Sequence, residues 1–184
     1  NEKKSNYEKL EDISCDCICI SGNWTPTVHL ASQSGNKLKF DEKINAFIPN
    51  QPRQNESTIG SANGYFTLKK SLEEGFNKGF EISNKITKKN IRSDIPASNE
   101  RSNDKHNKFW CMPLPKNKHY KRCVDFQNDV YVSDIELALR EGFRSIEHVK
   151  RYTTLGMATD QGKTSNLNGL QLVSNIEKKI IPEV

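Results

Sequence analysis

The sequence has 184 residues, 34% hydrophobic and 28% charged, with 28 basic against 23 acidic side chains for a net charge of +5. That length holds one full domain or two small ones. The apolar share is low against the roughly 45–50% usual for a packed chain once glycine is counted. No apolar run approaches the ~18 residues that a membrane-spanning helix needs, and no charged-then-apolar signal opens the chain, which excludes a helical membrane protein and gives secretion no support.

The first residue is Asn1 and the last four are Ile181-Pro182-Glu183-Val184, with no helix cap or polar tail. A segment of a longer chain is the expectation, and such a segment can carry half of a site. Residues 13–20 read as a buried strand, Ile13 to Ile20, leading into the turn Ser21-Gly22-Asn23-Trp24-Thr25-Pro26. Glycine followed by proline permits a tight excursion at the C-terminal edge of a strand, where α/β sheets bind ligands. Cys15, Cys17 and Cys19 alternate within it, so their side chains share one face roughly 6.6 Å apart. That is too far for a tetrahedral zinc site, and three small buried apolar side chains are the reading. An odd count of five cysteines without a secretory signal points to a reducing, cytoplasmic setting.

Lys37–Asp41 and Ala46–Pro49 read as short strands around a turn. The glycine-bearing run Ile59-Gly60-Ser61-Ala62-Asn63-Gly64-Tyr65-Phe66 then feeds a helix from Thr67 to Phe80, with Leu68, Leu72, Phe76 and Phe80 four apart. Gly75 and Gly79 are weak points of that helix or close-packing positions. A glycine-rich turn before a helix can hold a phosphate or dinucleotide on its free N–H groups. No Gly-x-Gly-x-x-Gly and no P-loop occurs in the chain, so a complete nucleotide-binding fold is not expected.

The positive charge is local. Residues 83–122 hold 11 basic and 3 acidic residues, a balance of +8, whereas residues 1–82 balance at −1 and residues 123–184 at −2. The middle stretch is rich in Asn, Ser and Pro and reads as a lysine-rich linker. Basic residues beside Phe109, Trp110 and Tyr120 admit a nucleic-acid-binding reading, but lysine outweighs arginine and no zinc-finger or helix-turn-helix pattern accompanies it.

In the last block, Val124–Val130 reads as a short strand or loop. Ser133-Asp134-Ile135-Glu136 is a capping-box pattern for a helix that Gly142 ends as a left-handed cap. Ser145 caps a second short helix through Ile146, Val149 and Tyr152, and a third runs around Leu167, Leu170, Leu172, Val173 and Ile176. Three short helices in about sixty residues make a marginal core. No Ser-His-Asp, Cys-His or paired-carboxylate arrangement appears, and His148, beside Lys150, reads as a structural hydrogen-bonder.

The stretch Cys15-Asp16-Cys17-Ile18-Cys19-Ile20-Ser21-Gly22-Asn23-Trp24-Thr25-Pro26-Thr27-Val28-His29-Leu30 resembles the second half of a pyridine-nucleotide-disulfide-reductase-type domain, and more narrowly the α subunit of heterotetrameric sarcosine oxidase. That family has a Ser-Gly-Gly-Trp-type turn followed by Pro and His-Leu; Asn23 stands here for the second glycine. Gly60-Ser61-Ala62-Asn63-Gly64 resembles the family's later Gly-Ala-Ala-Asn-Gly turn, and the run from Glu147 to Lys163 resembles the region between its dinucleotide and aminomethyltransferase-like domains.

The resemblance implies an α/β fold. Residues 1–82 would be the C-terminal part of a Rossmann-type dinucleotide-binding domain, 83–122 the linker, and 123–184 a small mainly α domain. It implies NAD contacts at Gly22, Ser61, Ala62, Asn63, Gly64 and Phe66. It also implies a half-site, from Arg151, Thr153, Thr154, Asp160, Gln161, Gly162 and Lys163, for an FMN that lies at the interface with the β subunit and is held covalently by that subunit. The small domain further resembles the bacterioferritin-associated-ferredoxin-like fold. Asp125, Gln127, Asp160 and Ser165 stand at the four cysteine positions of that fold's two-iron cluster, which implies a domain without an iron–sulfur cluster.

The implied activity is oxidative demethylation of sarcosine to glycine, with electrons passing between two flavins to oxygen. The one-carbon unit goes to tetrahydrofolate or leaves as formaldehyde. Amine oxidation would belong to the β subunit, folate chemistry to a downstream domain, and smaller subunits would complete the assembly. An electron-transfer module of an amino-acid dehydrogenase complex is the alternative.

Overall fold

The computed structural model describes residues 13–19, 24–89, 94–99, 110–112 and 120–181 as a mixed α/β chain with short two-stranded sheets and several helices. Helix α1 (His29–Gln33) stops because Gly35 turns left-handed at φ +84°. The Gly35 N–H then donates to Ser32 and the Asn36 N–H to Ala31, closing the last turn. Strands β1 (Lys37–Asp41) and β2 (Ala46–Gln51) form the expected antiparallel hairpin, with Phe40 and Phe47 opposite each other and their rings edge to face at 5.3 Å. The Asp41 carboxylate accepts the Lys43 N–H at 2.8 Å and folds the turn.

The pairing slips between Lys37 and Leu38, and the buried Asn36 repairs the break. Its Oδ1 accepts from both the Asn50 and Gln51 N–H groups at 3.0 Å, while its Nδ2 donates to Glu56. A 3-10 turn at Gly60–Asn63 leads to helix α2 (Leu68–Thr87), whose first turn is capped by the Thr67 hydroxyl. The helix continues past Phe80 and beyond position 82, where the linker was expected to begin, to a left-handed cap at Lys88. None of its twenty residues is buried, and a Cβ at Gly75 or Gly79 would meet open space. Close packing among the described residues therefore does not account for those glycines.

The expected strand at Ile13–Ile20 is corrected. Residues 13–19 form no strand, Ile13 and Ile18 are about three-quarters exposed, and Cys15, Cys17 and Cys19 are exposed. Strand structure needs a neighbour for its N–H and C=O groups, and no described segment pairs with these residues. Ile20 and the Ser21–Asn23 turn lie outside the described residues, as do Phe109 and most of the basic stretch beyond position 89.

The second half packs tightly. Strands β3 (Cys123–Asp125) and β4 (Val130–Tyr131) pair antiparallel and lead into α3 (Val132–Arg140), α4 (Ile146–Thr153) and α5 (Asn166–Glu177). Val124, Val130, Ile135, Ala138, Val149, Leu155, Leu172 and Val173 form one apolar core. Leu155 reaches α5 because Gly169 has no side chain; a Cβ there would collide with Leu155 Cδ2. Gly142, at φ +98°, ends α3 as expected: its N–H donates to Leu139, and the Phe143 N–H to Ala138.

The start of α3 differs from the capping box read at Ser133 and Glu136. The helix begins two residues earlier, with Tyr131 as its cap, and it is the Asp134 carboxylate that reaches back to the Tyr131 N–H at 2.8 Å. Glu136 instead faces Arg122 at 3.7 Å. Ser145 precedes α4 as expected, but its carbonyl, not its hydroxyl, accepts the first helical N–H groups. No helix among the described residues is long and apolar enough to cross a membrane.

Candidate cofactor-binding site

The segment 153–166 runs from the end of α4 to the start of α5 and is built around three side chains. The first is Asp125. It is 2% exposed, and its two oxygens accept four hydrogen bonds: Oδ1 from the Gln127 and Asn128 N–H groups at 3.0 and 3.3 Å, and Oδ2 from the Gly156 N–H at 2.8 Å and the Ser165 hydroxyl at 3.2 Å. A buried carboxylate without a cation is tolerable only with its lone pairs filled in this way. Gln127 bonds to the Thr159 hydroxyl at 2.9 Å. Asp125 and Ser165, read as stand-ins for cysteine ligands, thus meet directly, while Gln127 bonds across to Thr159 and Asp160 turns to its neighbours Gly162 and Thr164.

Asp160 is the second organiser. Its Oδ2 accepts the Thr164 hydroxyl at 2.7 Å and its Oδ1 the Gly162 N–H at 3.0 Å. The Thr164 hydrogen bond first, and the Gly162 N–H next, hold its carboxyl below the usual aspartate range. The third is Asn166. Its Nδ2 donates to the Gln161 carbonyl at 3.3 Å, and its carboxamide lies against Gly156 and Gly162, both at positive φ. A Cβ on either glycine would collide with that amide. Among the described residues Asn166 Oδ1 is buried without an N–H or O–H donor, and the Cα–H groups of the two glycines face it instead.

This framework forms one wall of an open cleft of about 300 Å³. Gln161, Gly162, Lys163 and the first turns of α5 (Asn166, Leu167, Leu170) face Thr25–His29 and the start of β2 at Ala46 and Phe47. Phe47, Val28, Leu167 and Leu170 supply an apolar lining, and Thr25, Thr27, His29, Gln161 and Lys163 supply polar groups. A flat apolar group with an anionic end fits such a lining.

Three of the seven residues expected to face FMN, Gln161, Gly162 and Lys163, therefore share one cleft. Arg151 is exposed on α4 outside the cleft lining. Thr153 and Thr154 are engaged locally: the Thr153 hydroxyl donates to Val149, and Thr154, left-handed at φ +63°, ends α4 while its carbonyl accepts from Asn128. Asp160 shapes the turn that carries the cleft residues. The participation of Thr25–His29 and Asn166 was not read from sequence.

Of the residues expected to face a dinucleotide, Gly22 lies outside the described residues. Ser61, Ala62, Asn63 and Gly64 form the 3-10 turn and its left-handed exit at φ +88°, followed by Phe66 before α2. Glycine is favoured here by that left-handed conformation, and a Cβ would also crowd Ile44 and Ile48. This turn lies apart from the cleft lining. The sequence reading missed Glu74, in the second turn of α2, whose carboxylate accepts the Gly60 N–H at 2.6 Å and the Asn63 amide at 2.9 Å.

Residues 119–184 match the family model described as the sarcosine oxidase A3 domain. The chain is 33% identical over 167 residues to the sarcosine oxidase subunit alpha of Rhizobium meliloti (strain 1021), covering 90% of this chain and 17% of that protein. It is 30% identical over 179 residues to the subunit alpha of Corynebacterium sp. (strain U-96), covering 95% of this chain and 18% of the relative. The chain is related to the alpha subunits of sarcosine oxidase. It spans under a fifth of the length of these curated relatives. The A3 match takes in β3, β4 and α3 to α5, the Asp125 network and one wall of the cleft; the matches to whole alpha subunits extend through the hairpin and the Gly60–Gly64 turn to the opposite wall.

Proposed function

We propose that this chain acts as part of an oxidoreductase subunit of the sarcosine oxidase type, in an assembly that demethylates sarcosine oxidatively to glycine. The single observation that carries the reading is the cleft. Residues 161–163 of the A3 match line it together with Thr25–His29, which follow the turn that resembles the family's Ser-Gly-Gly-Trp signature. The chain contributes cofactor surroundings and assembly surface rather than a nucleophile or an acid–base pair.

The residues fit a half-site for FMN. Phe47, Leu167 and Leu170 can cover an apolar ring face, and Lys163 can pair with a phosphate. FMN, when bound, supplies the electron-accepting chemistry that amine oxidation needs. Asp160 fixes the backbone of residues 160–164, so Lys163 starts from an ordered turn. Arg151, Thr153 and Thr154, at the end of α4 and outside the cleft lining, are carried into the half-site by the family resemblance alone. The Ser61–Gly64 turn and Phe66 form part of a dinucleotide site for NAD, as the C-terminal part of a Rossmann-type domain spanning residues 1–82. Residues 83–122, which open with the end of α2, lead on as the connector, and residues 123–184 are a small helical domain in which the Asp125 network stands in place of an iron–sulfur cluster. A β subunit, smaller subunits and a folate-handling domain complete the assembly, which works in the cytoplasm.

The test is purification of the full-length protein with its co-expressed partner subunits. Sarcosine-dependent oxygen uptake and a bound-flavin absorption spectrum are expected. A flavin-free complex inert to sarcosine and related secondary amines contradicts the proposal.

A further inference from the structure

The Gly60–Gly64 turn has the form of a phosphate-binding turn, with a left-handed glycine at each end and a helix beyond it. Its leading N–H is nevertheless already taken. The Glu74 carboxylate accepts the Gly60 N–H at 2.6 Å through one oxygen and the Asn63 carboxamide at 2.9 Å through the other, so one side chain of α2 grips both ends of the turn. These are charge-assisted bonds, among the stronger ones a protein makes. The opposite side of the turn is held by Ile44 and Ile48 against Gly64, and its exit by the Ser71 hydroxyl donating to the Tyr65 carbonyl at 3.0 Å.

The surroundings disfavour a phosphate there as well. Glu74 and Asn63 line a groove with Glu56, and the lysine in that groove, Lys78, is paired with Glu81 at 2.5 Å. A ligand phosphate entering beside Gly60 would meet two carboxylates. Ser61, by contrast, is exposed on the free side of the turn.

We propose, resting on the dinucleotide reading above, that Glu74 is a positioning residue: it fixes the Gly60–Gly64 turn in its binding shape and excludes phosphate from the Gly60 N–H, so that the turn receives an uncharged part of the dinucleotide. The carboxylate does from within the chain what a bound phosphate does in other glycine turns. The turn is thereby ordered before any ligand arrives, which lowers the cost of binding.

The test uses the full-length protein with its partner subunits and NAD as the probe, in Glu74→Ala and Glu74→Gln variants. Calorimetric titration is expected to show NAD binding weakened about tenfold or more in Glu74→Ala, the scale of losing one charge-assisted hydrogen bond. Glu74→Gln is expected to recover part of the loss, because its carbonyl oxygen still accepts the Gly60 N–H. Inorganic phosphate should compete with NAD in Glu74→Ala and not in the unaltered protein. Affinities within twofold in all three forms, with no phosphate competition in any, overturn the proposal. If the unaltered protein binds no NAD, the dinucleotide reading fails. The Glu74 clamp is then judged by hydrogen exchange at the Gly60 amide, which should speed up in Glu74→Ala and stay slow in Glu74→Gln; equal exchange in all three refutes the clamp itself.

Discussion

The Asp125 carboxylate and the Ser165 hydroxyl lie forty positions apart in the chain and meet at 3.2 Å in the interior, where both residues are almost fully buried. Through this contact β3 is tied to the start of α5, and the same carboxylate oxygen takes the Gly156 N–H from the loop between them. Three segments converge on one atom.

Removing that atom should be costly. Asp125→Ala strands the Gly156, Gln127 and Asn128 N–H groups and the Ser165 hydroxyl, and a loss of roughly 2–4 kcal/mol is expected from unfilled buried donors. Asp125→Asn keeps one acceptor oxygen and should fall between. Urea unfolding of the full-length protein reads the difference, and an Asp125→Ala variant as stable as the original contradicts the role.

Gly156 and Gly162 are predicted to resist substitution because both are left-handed and both abut the Asn166 amide. Alanine at either should destabilise by about 1–3 kcal/mol. Asn166→Ala in the same molecule should return part of that loss, since the collision is with its side chain; a double-mutant cycle of thermal unfolding measures the coupling. Strictly additive effects would place the cost in the backbone alone.

Much of this was legible locally. The hairpin, the ending of α3 at Gly142 and the span of α5 follow from alternation, helical spacing and a glycine in the left-handed position. What failed depended on distant partners or on competing caps. Residues 13–20 carry a strand pattern, but residues 13–19 find no neighbouring strand among the described residues. At the start of α3 the helix begins before Ser133, and Asp134 rather than Glu136 reaches back, to the Tyr131 N–H. The sequence marks Gln161–Lys163 as a polar turn, yet nothing in its spacing shows that Thr25–His29 lie across from it, nor that Glu74 closes the Gly60–Gly64 turn.

Asp160 predicts a pH dependence. Its folded-state pKa is depressed by the Thr164 and Gly162 hydrogen bonds, so its contribution is complete above the ordinary aspartate value of 3.8 and is lost as pH falls through the lower folded value. Amide shifts of Gly162 and Thr164, followed by NMR below pH 4, should titrate together and should stop titrating in Asp160→Asn. Shifts that titrate unchanged in that variant contradict the assignment.

The cysteines should differ in reactivity. Burial first, and the Asp129 and Asp125 charges next, raise the Cys123 thiol, whereas Cys15, Cys17 and Cys19 are exposed. Nucleophilic thiolate is scarcer at Cys123. Timed alkylation at pH 8 with mass spectrometry should label Cys123 after those three, and equal rates would count against the burial described here.

The most direct measurement of the cofactor reading is flavin retention by the assembled complex carrying Lys163→Ala. Loss of the ammonium group from the cleft should weaken FMN retention or slow flavin reoxidation by about tenfold, the scale of one charge-assisted contact to phosphate, with a smaller effect for Arg151→Ala outside the cleft lining. Unchanged flavin content and unchanged flavin reoxidation in Lys163→Ala would contradict a half-site in this cleft.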